Sequence, residues 1–479
     1  MKIESIQLKH TLHFHNMHAE FKGQQHPVTL ILGDQSSGKT SILRFTYQAL
    51  TWFAARYKDL RTAGVVMLDQ DIMLNRLQSK IDVQISYPSE FGQLSSSSAE
   101  PEESQSPPSS EQSPDPHFYC AWQLYKTLNS QGIGISKAET QQLEELAARY
   151  QRTLKDDPLL GLPLIAYYPA ERFVNEVNLL NKNNPAIFQP AYAYEISAIP
   201  FTTFSRFFEW FREICDIENA QSAQMVQDIL NKNKSNLTSD GKTNDFLASR
   251  IAHAHAEIHA PALKSLRRAL AVILPEFSNI YLQYHPKLQL MVTYQGETMQ
   301  FQQLSNSIRN LTALIGDIVR RLCLLNPASL YPCEEGDGIL LIDAIDHQLD
   351  QNMAQVILPR LHQAFPRLQI IAAGNRPELL EQASGFQCLK LENKQLMPIQ
   401  ASLMQQQFEE IYAQLHTDGD LPLTESDSPA ASLQEPAEDA ATAETLMLQI
   451  QEQLSPEQQQ ELIHLLQGND PRLSHNPLL

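Results

Sequence analysis

Residues 28–40, VTLIL followed by GDQSSGKT, constrain this chain more than any other stretch. The octet satisfies G-x-x-x-x-G-K-[ST], comes straight after an apolar run with strand character, and opens a helical pattern over about 40–57. In that pattern Ile42, Leu43, Tyr47, Leu50 and Phe53 share one face. Strand, glycine-rich loop and helix in that order make a phosphate cradle. Gly33 and Gly38 let the backbone curl, so that the amides of Asp34, Gln35, Ser36 and Ser37 point at one anion. Ser41 extends the set into the first helical turn, where free N–H groups and the helix dipole favour negative charge. Lys39 is expected to reach the β and γ phosphates, and Thr40 to offer its hydroxyl to Mg²⁺. The expectation is nucleotide binding, with ATP and Mg²⁺ as cofactors.

A second apolar run, GILLI at 338–342, ends in Asp343. At the carboxyl edge of a parallel sheet such an aspartate holds the magnesium shell, or else simply caps the helix that follows. The rest of the chain alternates strands and helices, so the fold class expected is α/β, a P-loop NTPase with an inserted helical lobe. The expected divisions are 1–93, the first half of the ATP-binding domain; 117–200, helices and a strand completing that half; 201–275, a helical lobe; and 276–416, the second half. Two Ser/Pro/acid-rich segments, 94–116 and 417–443, are expected to be disordered, and 444–479 to be helical, with Ser455, Pro456 and Gln458 forming a helix start.

Charge follows the same division. The net charge is −19, but residues 94–116 and 417–470 contain 17 acidic residues and no Lys or Arg, leaving −2 for the remainder. The folded body is near neutral, and no dense basic cluster advertises DNA; Arg267 and Arg268 are too few. Five scattered cysteines without a CxxC spacing point to a reducing cytoplasm, and no stretch is long and apolar enough to span a membrane.

The segments LILGDQSSGKTSILRF, IAYYPAERFV, FFEWFREICDIENAQ, QLSNSIRNLTALIGDIVRRLCLLNP and GILLIDAIDHQLD, with AAGNRPELL after them, together resemble ABC-class ATPases of the RecF and SMC kind. Within that class the chain looks like the PtuA-like ATPases of Septu and retron anti-phage systems. The resemblance implies an ATP-dependent homodimer or higher oligomer, in which the signature loop of one subunit completes the site of the other. It also suggests an HNH-type nuclease as a possible partner and DNA as another, while the lack of a long apolar stretch leaves no membrane contact expected. By that likeness Ser305, in Leu304-Ser305-Asn306-Ser307, belongs to the nucleotide site, with Ser307 where glycine is usual. Ala344 falls where the family carries its catalytic glutamate, and Asn375 where it carries a switch histidine. Loss of a positioned general base slows such chemistry by about 10²–10⁴. The expectation is therefore an ATP-gated switch with weak or lost hydrolysis. A working ATPase of DNA repair and a nucleotide-independent scaffold are the alternatives. Asp346 is the nearest other carboxylate in the sequence.

Other features have plainer readings. His10, His13, His15 and His18 are expected on exposed strand faces, and His253, His255 and His259 on a helix, without metal. The aromatic stripe Phe204, Phe207, Phe208, Trp210 and Phe211 is expected to form a core, and Arg172 either to face the nucleotide or to cap carbonyls. About 75 residues of helix between the halves, broken at Gly241 and Pro261, are too short for a long coiled-coil arm.

Overall fold

In the computed structural model the uninterrupted apolar runs become the middle of a six-stranded sheet. The structure describes residues 1–94, 118–157, 159–174, 177, 179, 189–194, 201–202, 204–233 and 261–399. Strands β1 (Lys2–Thr11), β2 (Phe14–Glu20) and β3 (Val28–Leu32) lead to helix α1 (Lys39–Lys58). Next come β4 (Gln78–Tyr87), β5 (Phe118–Leu128), β6 (Gly134–Glu139), α2 (Gln141–Asp156) and β7 (Leu164–Tyr168). A short pair, β8 (Glu171–Arg172) and β9 (Phe201–Thr202), precedes α3 (Ser205–Asn233) and α4 (Pro261–Ile273). Strands β10 (Phe277–Gln283), β11 (Gln289–Tyr294) and β12 (Glu297–Gln300) lead to α5 (Asn306–Leu325) and the single turn α6 (Pro332–Glu335). The described chain closes with β13 (Gly338–Ile342), α7 (Gln351–Ala364), β14 (Leu368–Gly374), β15 (Gln387–Glu392) and β16 (Gln395–Pro398).

The six-stranded sheet runs β16-β15-β3-β14-β13-β7. All neighbours are parallel except the antiparallel edge strand β16. Strands β3, β7, β13 and β14 are buried at every residue, as parallel strands covered on both faces must be. Register places the site. Leu32 pairs with Gly374, and Ile342 pairs with both Ala372 and Tyr168. The residues following β3, β13 and β14 therefore emerge together at one carboxyl edge. Three distant parts of the sequence supply this sheet: residues 28–32, 164–168 and 338–398.

A second sheet, β2-β1-β4-β5-β6, is antiparallel throughout. Here the reading of 117–200 needs a correction, because the segment opens with strands rather than helices. In FYCAWQLYKTL, Cys120, Trp122 and Leu124 point inward at every second residue, a period that fits a half-buried strand. Strands β10, β11 and β12 form a separate three-stranded antiparallel sheet in that order.

The aromatic stripe is core. Phe204, Phe207, Phe208, Trp210 and Phe211 are all buried. Phe207 lies against Gly316 of α5, where a Cβ would come within 2.2 Å of its ring, so only glycine admits so close a packing. Phe208 meets Phe301 edge-on at 5.5 Å between centroids. The two acidic segments, the 444–479 helix start and His253, His255 and His259 lie outside the described residues.

Candidate functional site

The loop after β3 closes on itself. Gly38 takes φ 114°, and α1 begins there without a side-chain cap, leaving first-turn amides for an anion. Ser36 also adopts positive φ, at 63°. Lys39 Nζ donates to the carbonyls of Gly33 (2.7 Å) and Asp34 (2.8 Å) and to Ser37 Oγ (3.4 Å), so the ammonium is folded back over the loop. Burial lowers its pKa, while Asp343, Asp346 and Asp34 pull the other way.

Opposite the loop stands Asp343, buried and anchored by its N–H to Tyr168 O at 2.8 Å. Oδ1 accepts the Ala344 N–H at 3.0 Å; Oδ2 is buried and, among the described residues, has no hydrogen-bond partner. Burial raises this carboxyl's pKa, and the neighbouring Thr40 hydroxyl and the Ala344 N–H offset part of that rise. A buried carboxylate oxygen without a partner, beside a threonine hydroxyl, is a donor set that fits Mg²⁺, a hard cation with oxygen ligands. Residues 35–41, Asp343, Ala344, Gly374, Asn375 and His13 line a cavity of about 370 Å³.

Arg172 reaches this edge from behind. Its guanidinium donates to Pro169 O (2.9 Å), Asp343 O (2.5 Å) and Ala344 O (2.7 Å). It caps carbonyls rather than lining the cavity, and in doing so fixes the turn that presents Asp343. Burial brings its pKa down to about 10, against the opposing pull of Asp343 and Asp346. Arg172→Met leaves three carbonyls without a donor and is expected to cost about 2 kcal/mol in urea unfolding. Arg172→Lys keeps the charge but loses the planar fork, and is expected to fall between.

Asp346 is committed elsewhere. Oδ2 accepts the backbone N–H groups of Asn375 (2.8 Å) and Arg376 (2.9 Å), so this carboxylate shapes the loop after β14. Ser305 lies outside the cavity, exposed at the N-cap of α5, where its Oγ accepts from Ile308 N at 3.3 Å. Gly33 and Asp34 serve through their carbonyls rather than as lining. The residue that sequence reasoning missed is His13. It was expected on an exposed strand face, and instead sits half-buried at the β1–β2 turn against the phosphate loop. A separation of 25 positions from Gly38 gives no sequence signal for that contact.

No protein-family model matches the chain. It is 29% identical over 289 residues to the Retron Ec83 probable ATPase of Escherichia coli, a match covering 54% of this chain and 53% of that one. It is 24% identical over 393 residues to the Retron Vc95 probable ATPase of Vibrio cholerae serotype O1 biovar El Tor, covering 78% and 70% respectively. The chain thus spans about half the length of the first of these relatives. Among solved structures, an SMC head bound to the C-winged helix domain of ScpA aligns over 85% of this chain and all of that one, at TM-score 0.42 and 12% identity. The recombination mediator protein RecF aligns over 83% and 98%, at TM-score 0.35 and 12% identity.

Proposed function

We propose that this chain, an ABC/RecF-type ATPase homologous to the retron ATPases, is an ATP-gated switch in an anti-phage defence or DNA-transaction complex. Binding of Mg-ATP stabilises a self-associated or partner-bound form, and hydrolysis is slow or lost. One observation carries the reading. The cavity combines a phosphate cradle and a cation-ready Asp343, and among the described residues that line it no carboxylate other than Asp343 is present to activate water. Ala344 has no proton acceptor, Asp346 is tied to two backbone amides, and Asn375 is neutral. Binding rests on the loop amides, Lys39 and Thr40; turnover requires a base in close placement.

The remaining parts have stated roles. Thr40 and Asp343 would hold the metal, which when bound would neutralise charge on the phosphates. Ser305, exposed at the start of α5, is available to a second subunit. The resemblance to PtuA-like ATPases is what supports a nuclease partner of the HNH type. Isothermal titration calorimetry with Mg-ATP tests the foundation, beside phosphate release and sedimentation with and without nucleotide. Lys39→Ala removes a charge-assisted donor and is expected to weaken Mg-ATP binding about 10²-fold. Wild-type turnover of several per second would instead mark a working ATPase. Assembly unchanged in Lys39→Ala would mark a scaffold indifferent to nucleotide.

A further inference from the structure

His13 leaves its neighbours in the histidine-rich hairpin. His10 and His15 pair edge-to-face, with centroids 4.8 Å apart, whereas His13 packs on Phe14 at 4.1 Å and turns to the cavity. Its ring lies directly over Gly38. A Cβ at that position would come within 2.3 Å of His13 Nε2 and 2.8 Å of Phe14 Cζ, so the loop and the hairpin are fitted to each other. Nε2 is buried and, among the described residues, has no partner at hydrogen-bond geometry. A buried ring nitrogen left in that state is unfavourable and calls for an explanation. A phosphate in the adjacent loop would supply the missing partner.

The charged groups around the ring settle which form it takes. Lys394, on the turn between β15 and β16, faces it from one side; Lys39 and Asp343 line the same cavity. Burial and Lys394 lower the His13 pKa, only partly offset by the backbone of Ser37. Without an anion beside it, the ring's pKa therefore lies below the usual imidazole value. A polyphosphate brings negative charge beside it and favours imidazolium, which can donate.

We propose that His13 contacts the phosphate chain of the bound nucleotide and takes up a proton with it, which makes nucleotide affinity rise as pH falls. The proposal rests on the reading of this cavity as a nucleotide site. The sign follows from linkage. The bound histidine has the higher pKa, so between the free and bound values binding captures a proton and tightens with acidity. A rise of one unit corresponds to about tenfold in affinity.

The test is calorimetry of Mg-ATP binding at pH 6, 7 and 8, each in two buffers of different ionisation enthalpy, so that net proton uptake is read directly. Wild type, His13→Gln and Lys39→Ala are compared, with saturating Mg²⁺ to hold the ligand's own ionisation constant. Wild type is expected to tighten severalfold from pH 8 to 6, and to take up protons beyond what His13→Gln takes up. Glutamine keeps a nitrogen donor without titrating, and His13→Asn serves if His13→Gln melts early. An identical pH slope and proton count in wild type and the His13 variants would overturn the proposal while leaving nucleotide binding intact. Wild type that binds no more tightly than Lys39→Ala at every pH would remove the nucleotide site itself.

Discussion

Ala344→Glu is expected to raise ATP turnover about 10²-fold, at the low end of the 10²–10⁴ range for a positioned general base. The position is built to receive the side chain. Ala344 lines the cavity at the carboxyl edge, one residue beyond Asp343, and its backbone is held by Arg172 and by Asp343 Oδ1. Its φ of 42° is unfavourable for any residue with a Cβ, so glutamate meets no backbone strain that alanine does not already bear. The gain is expected at the lower end because Ser307 and Asn375 remain. Phosphate release measured by malachite green, on wild type and variant at equal nucleotide occupancy, decides it. Equal rates in the two would mean that the missing carboxylate is not what limits hydrolysis.

Asp317→Ala is expected to cost about 3–5 kcal/mol of stability. Asp317 sits on α5 with its carboxylate buried among cations. Oδ1 accepts from Arg320 Nε and Oδ2 from Arg321 Nε, both at 2.8 Å, and Oδ2 also accepts from Tyr168 OH at 2.8 Å. Arg321 further donates to Ala193 O. Removing the anion leaves two buried guanidinium groups without their counter-charge, in contact with the strand that positions Asp343. Burial alone would raise the Asp317 pKa, but Arg320, Arg321 and Tyr168 outweigh it and hold the acid well below the usual carboxylate range. A depressed folded value means this contribution is complete above the unfolded pKa and is lost as pH falls through the folded one. The stability gap between wild type and Asp317→Asn, read from urea melts, is accordingly expected to narrow below about pH 4. A gap constant down to pH 2 would show that the carboxylate is not held ionised.

What could be read in advance was local. The strand–loop–helix around Gly33 to Thr40 is legible because phosphate cradles require glycines, a lysine and a hydroxyl at fixed spacing. Buried parallel strands are legible as continuous apolar runs, and Phe207 with its neighbours reads as core because of helical spacing. The β5–β6 hairpin is hard to read from sequence because Tyr119, Ala121 and Tyr125 on the outer face of β5 blur the alternation with Cys120, Trp122 and Leu124, and α2 follows directly. The partners of Arg172, Asp346 and His13 were not legible at all. Arg172 reaches carbonyls 171 and 172 positions away, and the other two meet groups 29 and about 25 positions along the chain.

The sequence by itself determined the chemistry on offer: a phosphate-gripping loop, an aspartate at a strand end, and an alanine where a base is wanted. These follow from residue type and short spacing, which set backbone conformation and charge within a few positions. Only the tertiary structure decided how those groups are held. Sheet order and register bring 32, 342 and 374 to one edge. That convergence ties Asp346 to the Asn375 loop, makes Arg172 a brace for the Asp343 turn, and presses His13 onto Gly38. The physical reason is that hydrogen-bond partners and close packing are chosen in space, among residues whose separation along the chain carries no trace of their contact.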